Sequence, residues 1–317
     1  MSQAPDRAIV RSCCLVTLLA ALQLPDDSLA APPPSRDALY EALIARSGER
    51  LADAHIAYGS APQQFGELWL PAGKAKAPVV ILVHGGCWLT QLPGVEFLHQ
   101  MAGALRDKGY AVWSLEYRRL GEEGGGYPGT FLDVAHGADH VRQLAQQYPL
   151  DLSRVIAVGH SVGGTMAFWL AGRHNLPRTS PLFSADPLRV DAVVNVAGPA
   201  DLEQFAAHFP AVCMPGTLET FYAKAERNSD VPFADTSPAA LLPLGARQVL
   251  AYGIYDPGVP PYLGKQYLDT ARAKGEEVRL ITVPDAGHFD LIAPWTPAWP
   301  VLAKAIDELS KTAVSTH

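Results

Sequence analysis

A single serine stands between a buried strand and a helix in this sequence. Ser161 lies in Gly159-His160-Ser161-Val162-Gly163, after the largely β-branched run 155–158 and before an apolar helical pattern. A strand–turn–helix placement of this kind holds a nucleophilic serine in a sharp, strained turn. Side chains at 159 and 163 would collide with the neighbouring strand and helix there. A helix N-terminus also favours the negative charge that develops when the hydroxyl attacks a carbonyl. The pattern therefore predicts that Ser161 is a nucleophile.

A serine hydroxyl needs a histidine as its base, and the histidine needs an acid that fixes its tautomer. His288 directly follows the last predicted strand, and Asp256 follows the predicted strand 248–252. The carboxyl ends of parallel strands are the edge of a sheet where ligands bind. The chain order serine, acid, histidine is also the one that accompanies this serine motif. We therefore predict a catalytic triad of Ser161, His288 and Asp256.

Other histidines and acids are less well placed for these roles. Three histidines fall in predicted helices, where packing or surface roles are more common: His136, His140 and His174. His160 is next to the serine but is predicted to point away from it. Two acids lie in an insertion described below and are predicted to be solvated: Asp230 and Asp235. Two more flank the histidine, where a neighbour in sequence rarely reaches around the ring: Asp285 and Asp290.

Attack on a carbonyl creates an oxyanion, which backbone N–H groups must already face. The segment Val83-His84-Gly85-Gly86-Cys87-Trp88 follows the first buried strand, and its two glycines allow close approach of the backbone to a substrate oxygen. We predict that the N–H groups of Gly86, Cys87 and Val162 form the oxyanion hole. Trp88 beside this loop suits an aromatic substrate, and a packing role is the alternative.

The elements that must position these residues alternate between strand and helix. Predicted strands lie at 65–70, 79–83, 110–115, 154–158, 190–196, 248–252 and 278–283. Predicted helices lie at 36–50, 95–108, 131–147, after Ser161, at 261–274 and at 299–309. This alternation predicts an α/β fold, with a mostly parallel sheet covered by helices on both faces. The first strand segment suggests an antiparallel pair, and residues 199–245 break the rhythm as a small cap insertion.

The first thirty residues differ from the rest of the chain. Arg7 and Arg11 precede an apolar run at 13–22, and Ser28-Leu29-Ala30 has the small-x-small pattern of a cleavage site. The pattern predicts a signal peptide at 1–30, a folded domain at 31–317 and export to the periplasm or medium. The apolar run is too short to span a membrane stably, since spanning needs about 20 residues.

The remaining composition narrows the function classes. The net charge is −7 without basic runs, which argues against a nucleic-acid partner. No Cys/His spacing of the metal-binding type is present, and the mechanism expected of a serine–histidine–acid triad needs neither metal nor organic cofactor. Cys87 and Cys213 remain after removal of the leader. They could pair in an oxidising compartment, although two small buried side chains are the more common outcome.

Together these residues resemble the α/β-hydrolase superfamily, from about Phe65 to the C-terminus. His84-Gly85-Gly86-Cys87-Trp88 is similar to the His-Gly-Gly-x-Trp loop of kynurenine formamidases, in the esterase and arylformamidase-like branch. Gly159 to Gly164 is similar to the nucleophile motif of that branch, and Ser114 to Arg118 resembles its structural Tyr-Arg pair. Cys87 stands where hormone-sensitive lipases have a third glycine, and this departs from their pattern.

The resemblance implies acyl transfer through a covalent intermediate on a small-molecule ester or amide. Cleavage of short-chain or aromatic carboxylic esters is the first expectation, and arylformamidase activity is the alternative. The predicted leader argues against kynurenine metabolism, which is expected in the cytoplasm. A prolyl-oligopeptidase-like peptidase ranks lower because no propeller domain is recognisable. A non-catalytic binding protein ranks last because all three triad members are present.

Overall fold

An eight-stranded sheet forms the centre of the protein in the computed structural model, which describes residues 36–73, 75–223 and 233–311. The order across the sheet is β1-β2-β4-β3-β5-β6-β7-β8. The strands are β1 (Ala54–Ala57), β2 (Phe65–Trp69), β3 (Ala77–Val83), β4 (Ala111–Leu115), β5 (Leu150–His160), β6 (Ala192–Val196), β7 (Arg247–Gly253) and β8 (Val278–Val283). β1 pairs antiparallel with β2, and β2 pairs antiparallel with β4, whereas the other neighbours are parallel.

Helices cover both faces of this sheet. The α-helices of the described residues are α1 (Arg36–Ala45), α2 (His99–Asp107), α3 (Gly129–Asp139), α4 (Val141–Leu144), α5 (Val162–Gly172), α6 (Leu202–Phe205), α7 (Phe209–Val212), α8 (Thr217–Phe221), α9 (Pro261–Ala273) and α10 (Trp299–Lys311). Buried residues of α1, α2 and α10 pack on one face, and those of α3, α4, α5 and α9 pack on the other. The predicted α/β fold and the early antiparallel pair are confirmed.

The central strands are buried on both faces, which explains their continuous apolar sequences. In β3, every residue from Val79 to Val83 is at most 1% exposed. Alternate side chains contact opposite helix layers, so that Ile81 lies in one core and Leu82 in the other. Parallel pairing of β3 with β4 and β5 brings the carboxyl ends of these three strands to the same edge. This edge also receives the segments that follow β7 and β8.

Several helix boundaries differ from the predicted ones. The helix predicted for 36–50 ends at Ala45, and a 3-10 turn follows at Ser47–Glu49. There the Ser47 hydroxyl donates to the carbonyl of Ile44, a local bond that competes with the helical pattern. The helix predicted for 131–147 is divided into α3 and α4 at His140, and the helix predicted from Val95 begins as a 3-10 turn at Val95–Leu98.

The interval between β6 and β7 contains α6, α7, α8 and a 3-10 turn at Pro238–Leu241. These elements lie within the predicted cap, and buried residues from each of them join the core on the α5 side. Residues 224–232, including Asp230, are outside the described part of the chain, as is the predicted leader. Among the helices of the described residues, none is long and apolar enough to span a bilayer.

The close approach of α5 to β3 predicts the effect of a side chain at Gly163. A Cβ there would collide with the carbonyl oxygens of Val83 and His84, which are backbone atoms at the end of a central strand. We expect Gly163→Val to lower the free energy of unfolding by about 3 kcal/mol or more, at the upper end of overpacking costs. Gly48→Val is the control, because nothing lies within 4 Å of a Cβ at that position. Equal melting temperatures for the two variants would contradict the steric argument.

Candidate active site

Ser161 occupies the turn that joins β5 to α5. Its φ of 56° and ψ of −129° are unusual for a residue with a side chain, and such strain costs about 1–3 kcal/mol. The turn is held because the Ser161 N–H donates to the carbonyl of Val196 on β6 at 2.8 Å. A Cβ at Gly159 would meet the backbone of Gly163, so the glycine at 159 is also required by close packing. The predicted collisions at 159 and 163 are confirmed.

His288 and Asp256 form a buried pair at the same edge of the sheet. Nδ1 of His288 lies 2.6 Å from Oδ2 of Asp256, and the residues are 5% and 3% exposed. An ionised carboxylate only accepts hydrogen bonds, so the ring proton lies on Nδ1 and Nε2 of the neutral ring is left as a base. Asp256 follows β7, and His288 follows β8, as the sequence predicted.

The surroundings of Asp256 favour its ionised form. Burial acts to raise its pKa, but the interactions with His288 and with two backbone N–H groups outweigh burial, and the pKa is lowered. The N–H groups of Gly258 and Val259 donate to Oδ1 at 2.9 and 3.0 Å. With Oδ1 occupied in this way, Oδ2 is held toward the imidazole. Asp256 therefore remains charged beside His288 at neutral pH.

The side chains of His160 and Asp290 hold the backbone around His288. This role was not predicted from the sequence for either residue. The His160 ring donates from Nε2 to the carbonyl of His288 at 3.0 Å. The two rings lie with their centroids 4.7 Å apart. Asp290 accepts a hydrogen bond from the N–H of Gly287 at 2.8 Å. His160 thus links the turn of Ser161 to the loop of His288. The position of a histidine directly before the serine was the sequence feature that could have indicated this role.

The Ser161 hydroxyl has no hydrogen-bond partner among the described residues. Serine–histidine contacts are often loose in unliganded hydrolases and tighten around the substrate. The neighbourhood of the hydroxyl is crowded on one side, since a Cβ added to Gly85 would lie 2.9 Å from the Ser161 Cβ. The loop after β3 therefore passes directly against the serine.

This loop, His84 to Trp88, is hereafter the oxyanion loop. Gly86, Cys87 and Trp88 all have positive φ, at 95°, 51° and 58°. Within the described part of the chain, no group accepts a hydrogen bond from the N–H of Gly86, Cys87 or Val162. Free N–H groups from the loop and from the first residue of α5 are the arrangement that an oxyanion hole requires.

Trp88 is buried beneath the cap. The residue is 0% exposed, and the centroid of its ring lies 4.2 Å from that of Phe221 and 5.7 Å from that of Phe209. Aromatic pairs of this kind contribute about 0.5–1.5 kcal/mol each beyond their burial. The burial of Trp88 therefore favours the packing alternative over the suggested contact with substrate.

Cys87 and Cys213 form a disulfide, where the sequence favoured two separate buried side chains. A disulfide typically stabilises a fold by about 2–4 kcal/mol, which is comparable with the strain of two non-glycine residues at positive φ. The expectation of two unlinked thiols is wrong because the cap folds back over the oxyanion loop. That approach joins residues 126 positions apart in the sequence.

A second set of contacts holds the oxyanion loop from the sheet. Oε1 of Glu116 lies 3.0 Å from Nε2 of His84, and Oε2 accepts from the N–H of Val95 at 3.1 Å. The Tyr117 hydroxyl donates to the carbonyl of His84 at 2.8 Å. Sequence reasoning did not assign Glu116 to the site. Its position directly after β4 could have indicated this role. Because β3 and β4 are parallel neighbours, the residues that follow β4 lie beside the oxyanion loop, which follows β3.

Asp235, which the sequence placed in solvent, is half-buried. Its Oδ2 accepts hydrogen bonds from the hydroxyls of Tyr127 and Ser180, both at 2.7 Å. Its role is to join the cap to the segments before α3 and after α5. It is therefore unsuited to act as the partner of His288.

The contacts of Glu116 predict the pH dependence of stability. Burial acts to raise its pKa, but His84, Arg119 and the N–H of Tyr117 outweigh burial and lower the pKa from 4.5 to about 2. A lowered pKa stabilises the fold above the ordinary value, and this stabilisation is lost as the pH falls from about 4.5 toward 2. At about 1.4 kcal/mol per pKa unit, the contribution at pH 7 is on the order of 3 kcal/mol.

We therefore expect Glu116→Gln to lower the free energy of unfolding at pH 7 and to flatten its fall between pH 5 and pH 3. Urea unfolding at several pH values is the measurement. Glu277→Gln is the control, since that carboxylate is exposed and its loss should change neither quantity measurably. A Glu116→Gln variant with the parent's acid sensitivity would show that the carboxylate is not held in this way.

Comparison with known proteins agrees with this fold. The model of the BD-FAE family matches residues 67–239. A truncated carbohydrate esterase from gut microbiota superimposes with a TM-score of 0.65 at 20% identity, covering 81% of this chain and 95% of that one. An inhibited esterase B from Lactobacillus rhamnosis gives a TM-score of 0.71 at 19% identity, covering 86% and 93%.

Esterase 2 of Thermogutta terrifontis, phosphonylated by sarin, gives a TM-score of 0.64 at 14% identity, covering 80% of this chain and 92% of that one. No curated protein sequence matches the chain. The structural likenesses show the fold, and the family model covers more than half of the 317 residues. The chain therefore belongs to the BD-FAE family and has the α/β-hydrolase fold.

Proposed function

We propose that this protein is a serine hydrolase that cleaves carboxylic esters through an acyl-enzyme. Ser161 attacks the carbonyl carbon while Nε2 of His288 takes the hydroxyl proton. His288 then protonates the leaving alcohol, and a water molecule repeats the sequence to release the acid. Asp256 keeps the imidazole in the required tautomer and stabilises its cationic form.

The developing oxyanion is stabilised by the N–H groups of Gly86, Cys87 and Val162. These donors have no protein acceptor among the described residues, so they are available without reorganisation when the charge forms. The Val162 donor also lies at the N-terminus of α5, an 11-residue helix whose dipole acts in the same direction. The hydrogen bond between His288 and Asp256 carries the proposal, because it prepares a base at the same edge of the sheet as a serine that is held in a strained turn.

The substrate is a small ester with a short-chain or aromatic acyl group. Support for ester cleavage comes from the structural neighbours, which include a carbohydrate esterase and esterases inhibited by phosphorus compounds. Arylformamidase activity is the second candidate, and the His-Gly-Gly-x-Trp sequence of the oxyanion loop favours it. Burial of Trp88 removes one reason for expecting an aromatic amide.

We further propose that the protein acts outside the cytoplasm. The Cys87–Cys213 disulfide supports this location, because such bonds persist mainly in oxidising compartments. The apolar run and the small-x-small pattern before Ala31 support it independently. N-terminal sequencing of exported protein should give a start near Ala31, whereas active cytoplasmic protein with an intact Met1 would contradict the proposal.

The test of the proposed activity combines a substrate panel with two triad variants. p-Nitrophenyl esters of increasing acyl length are compared with N-formylkynurenine, and the esters should give the higher kcat/KM. Ser161→Ala should abolish hydrolysis and labelling by a fluorophosphonate, with kcat lowered about 10⁶-fold. Asp256→Asn should lower kcat about 10⁴-fold because the histidine takes the wrong tautomer.

Matched controls separate chemistry from folding. Ser114→Ala should keep full activity, since Ser114 is also buried and its hydroxyl has no partner among the described residues. Asp235→Asn should keep kcat within about tenfold of the parent, consistent with loss of structural contacts alone. The melting temperature of Ser161→Ala should stay near that of the parent, because the Cβ and the turn are retained. An active Ser161→Ala variant would overturn the proposed function.

A further inference from the structure

The disulfide joins two segments that have different tasks. Cys87 lies in the oxyanion loop and carries one of the three free N–H groups, whereas Cys213 directly follows α7 in the cap. The two Cα atoms lie 5.8 Å apart. Because the bond is covalent, the position of a proposed oxyanion donor depends on the position of a cap helix.

The same end of α7 also approaches the acid of the proposed triad. Val212, the last residue of α7, has its Cγ1 3.1 Å from the place of a Cβ at Gly258. The N–H of Gly258 donates to Oδ1 of Asp256. Two consecutive cap residues therefore lie beside the two sides of the site, Val212 on the acid side and Cys213 on the oxyanion side.

α7 cannot be rigid on its own account, because a single helical turn of four residues has little intrinsic stability. Its position is fixed by what it packs against. Phe209 is buried against the Trp88 ring and against Phe205, with ring centroids 5.7 Å apart in both pairs. The disulfide and the aromatic contacts thus fasten the helix and the oxyanion loop to each other.

We propose that Cys213 is a positioning residue for the hydrolytic reaction, which acts by holding Cys87 in its left-handed conformation so that the N–H faces the oxyanion. The inference rests on the proposed function. Without the bond, Cys87 can relax toward the usual negative φ. Because Trp88 is fixed by its packing, this change turns the peptide plane between Gly86 and Cys87, and the N–H of Cys87 turns away with it. The loss falls on the transition state, because the oxyanion exists only there, and binding of the ground-state ester is unchanged.

The experiment compares the parent with Cys213→Ala and with the double variant Cys87→Ala/Cys213→Ala, which leaves no free thiol at the site. Both retain the backbone N–H of residue 87. We expect kcat on a p-nitrophenyl ester to fall at least tenfold, and by no more than the roughly 10²–10³-fold seen when one oxyanion donor is removed. KM should change less than twofold. Affinity for a trifluoromethyl ketone, which forms a tetrahedral oxyanion adduct with the serine, should fall in parallel with kcat/KM.

Leu302→Ala controls for general destabilisation, because this buried residue of α10 packs on the opposite face of the sheet. It should lower the melting temperature without changing kcat or ketone affinity at temperatures where it is folded. If the cysteine variants behave in the same way, the disulfide is a stabilising link only and the proposal is overturned.

If the cysteine variants do not fold, treating the folded parent with a phosphine reductant gives the same comparison within one protein. Retention of kcat after verified cleavage of the bond would overturn the proposal. Failure of the proposed function is distinguishable, since it would appear as hydrolysis that is retained in Ser161→Ala. The present proposal concerns only the change in a Ser161-dependent rate.

Discussion

The first turn of α5 lies directly on the carbonyl oxygens at the end of β3, and the arrangement of the site depends on this contact. It is possible only because position 163 has no side chain. The approach forces Ser161 into a strained turn with positive φ between strand and helix, and it brings the oxyanion loop, which continues from β3, against the serine. One steric constraint thus places the proposed nucleophile beside its proposed oxyanion donors.

The oxyanion loop has an unfavourable backbone of its own, since three consecutive residues have positive φ and two of them are not glycine. It is held from two independent directions. Glu116 and Tyr117 bind His84 from the end of β4, while the cap holds Cys87 through a disulfide and Trp88 through aromatic packing. Strain of this kind persists where the surroundings over-determine the backbone. Here the surroundings come from both the sheet and the inserted cap.

Two buried carboxylates at this edge of the sheet are stabilised in their ionised form in the same way. Asp256 and Glu116 are both buried carboxylates, and in both the pKa is lowered because a histidine and backbone N–H groups outweigh the cost of burial. Asp256 accepts a hydrogen bond from Nδ1 of the His288 ring, whereas Glu116 binds the His84 ring and so holds the backbone of the oxyanion loop. The same interaction therefore has two different roles. In the His288–Asp256 pair the proposed role is catalysis, and in the His84–Glu116 pair it is to hold the backbone.

The sequence by itself determined those features that follow from local residue patterns and from the order of elements along the chain. Continuous apolar runs separated by helical patterns predicted the sheet, and residues directly after strands predicted which side chains share its edge. Ser161, Asp256 and His288 were found in this way, although their catalytic roles remain proposals. Tertiary structure alone decided the pairing of Cys87 with Cys213, the burial of Trp88 and the place of Asp235. These depend on how the cap folds back over the loop. The physical reason is that periodicity and turn chemistry act over a few residues, whereas the cap's short helices take their positions from contacts with residues up to 126 places away.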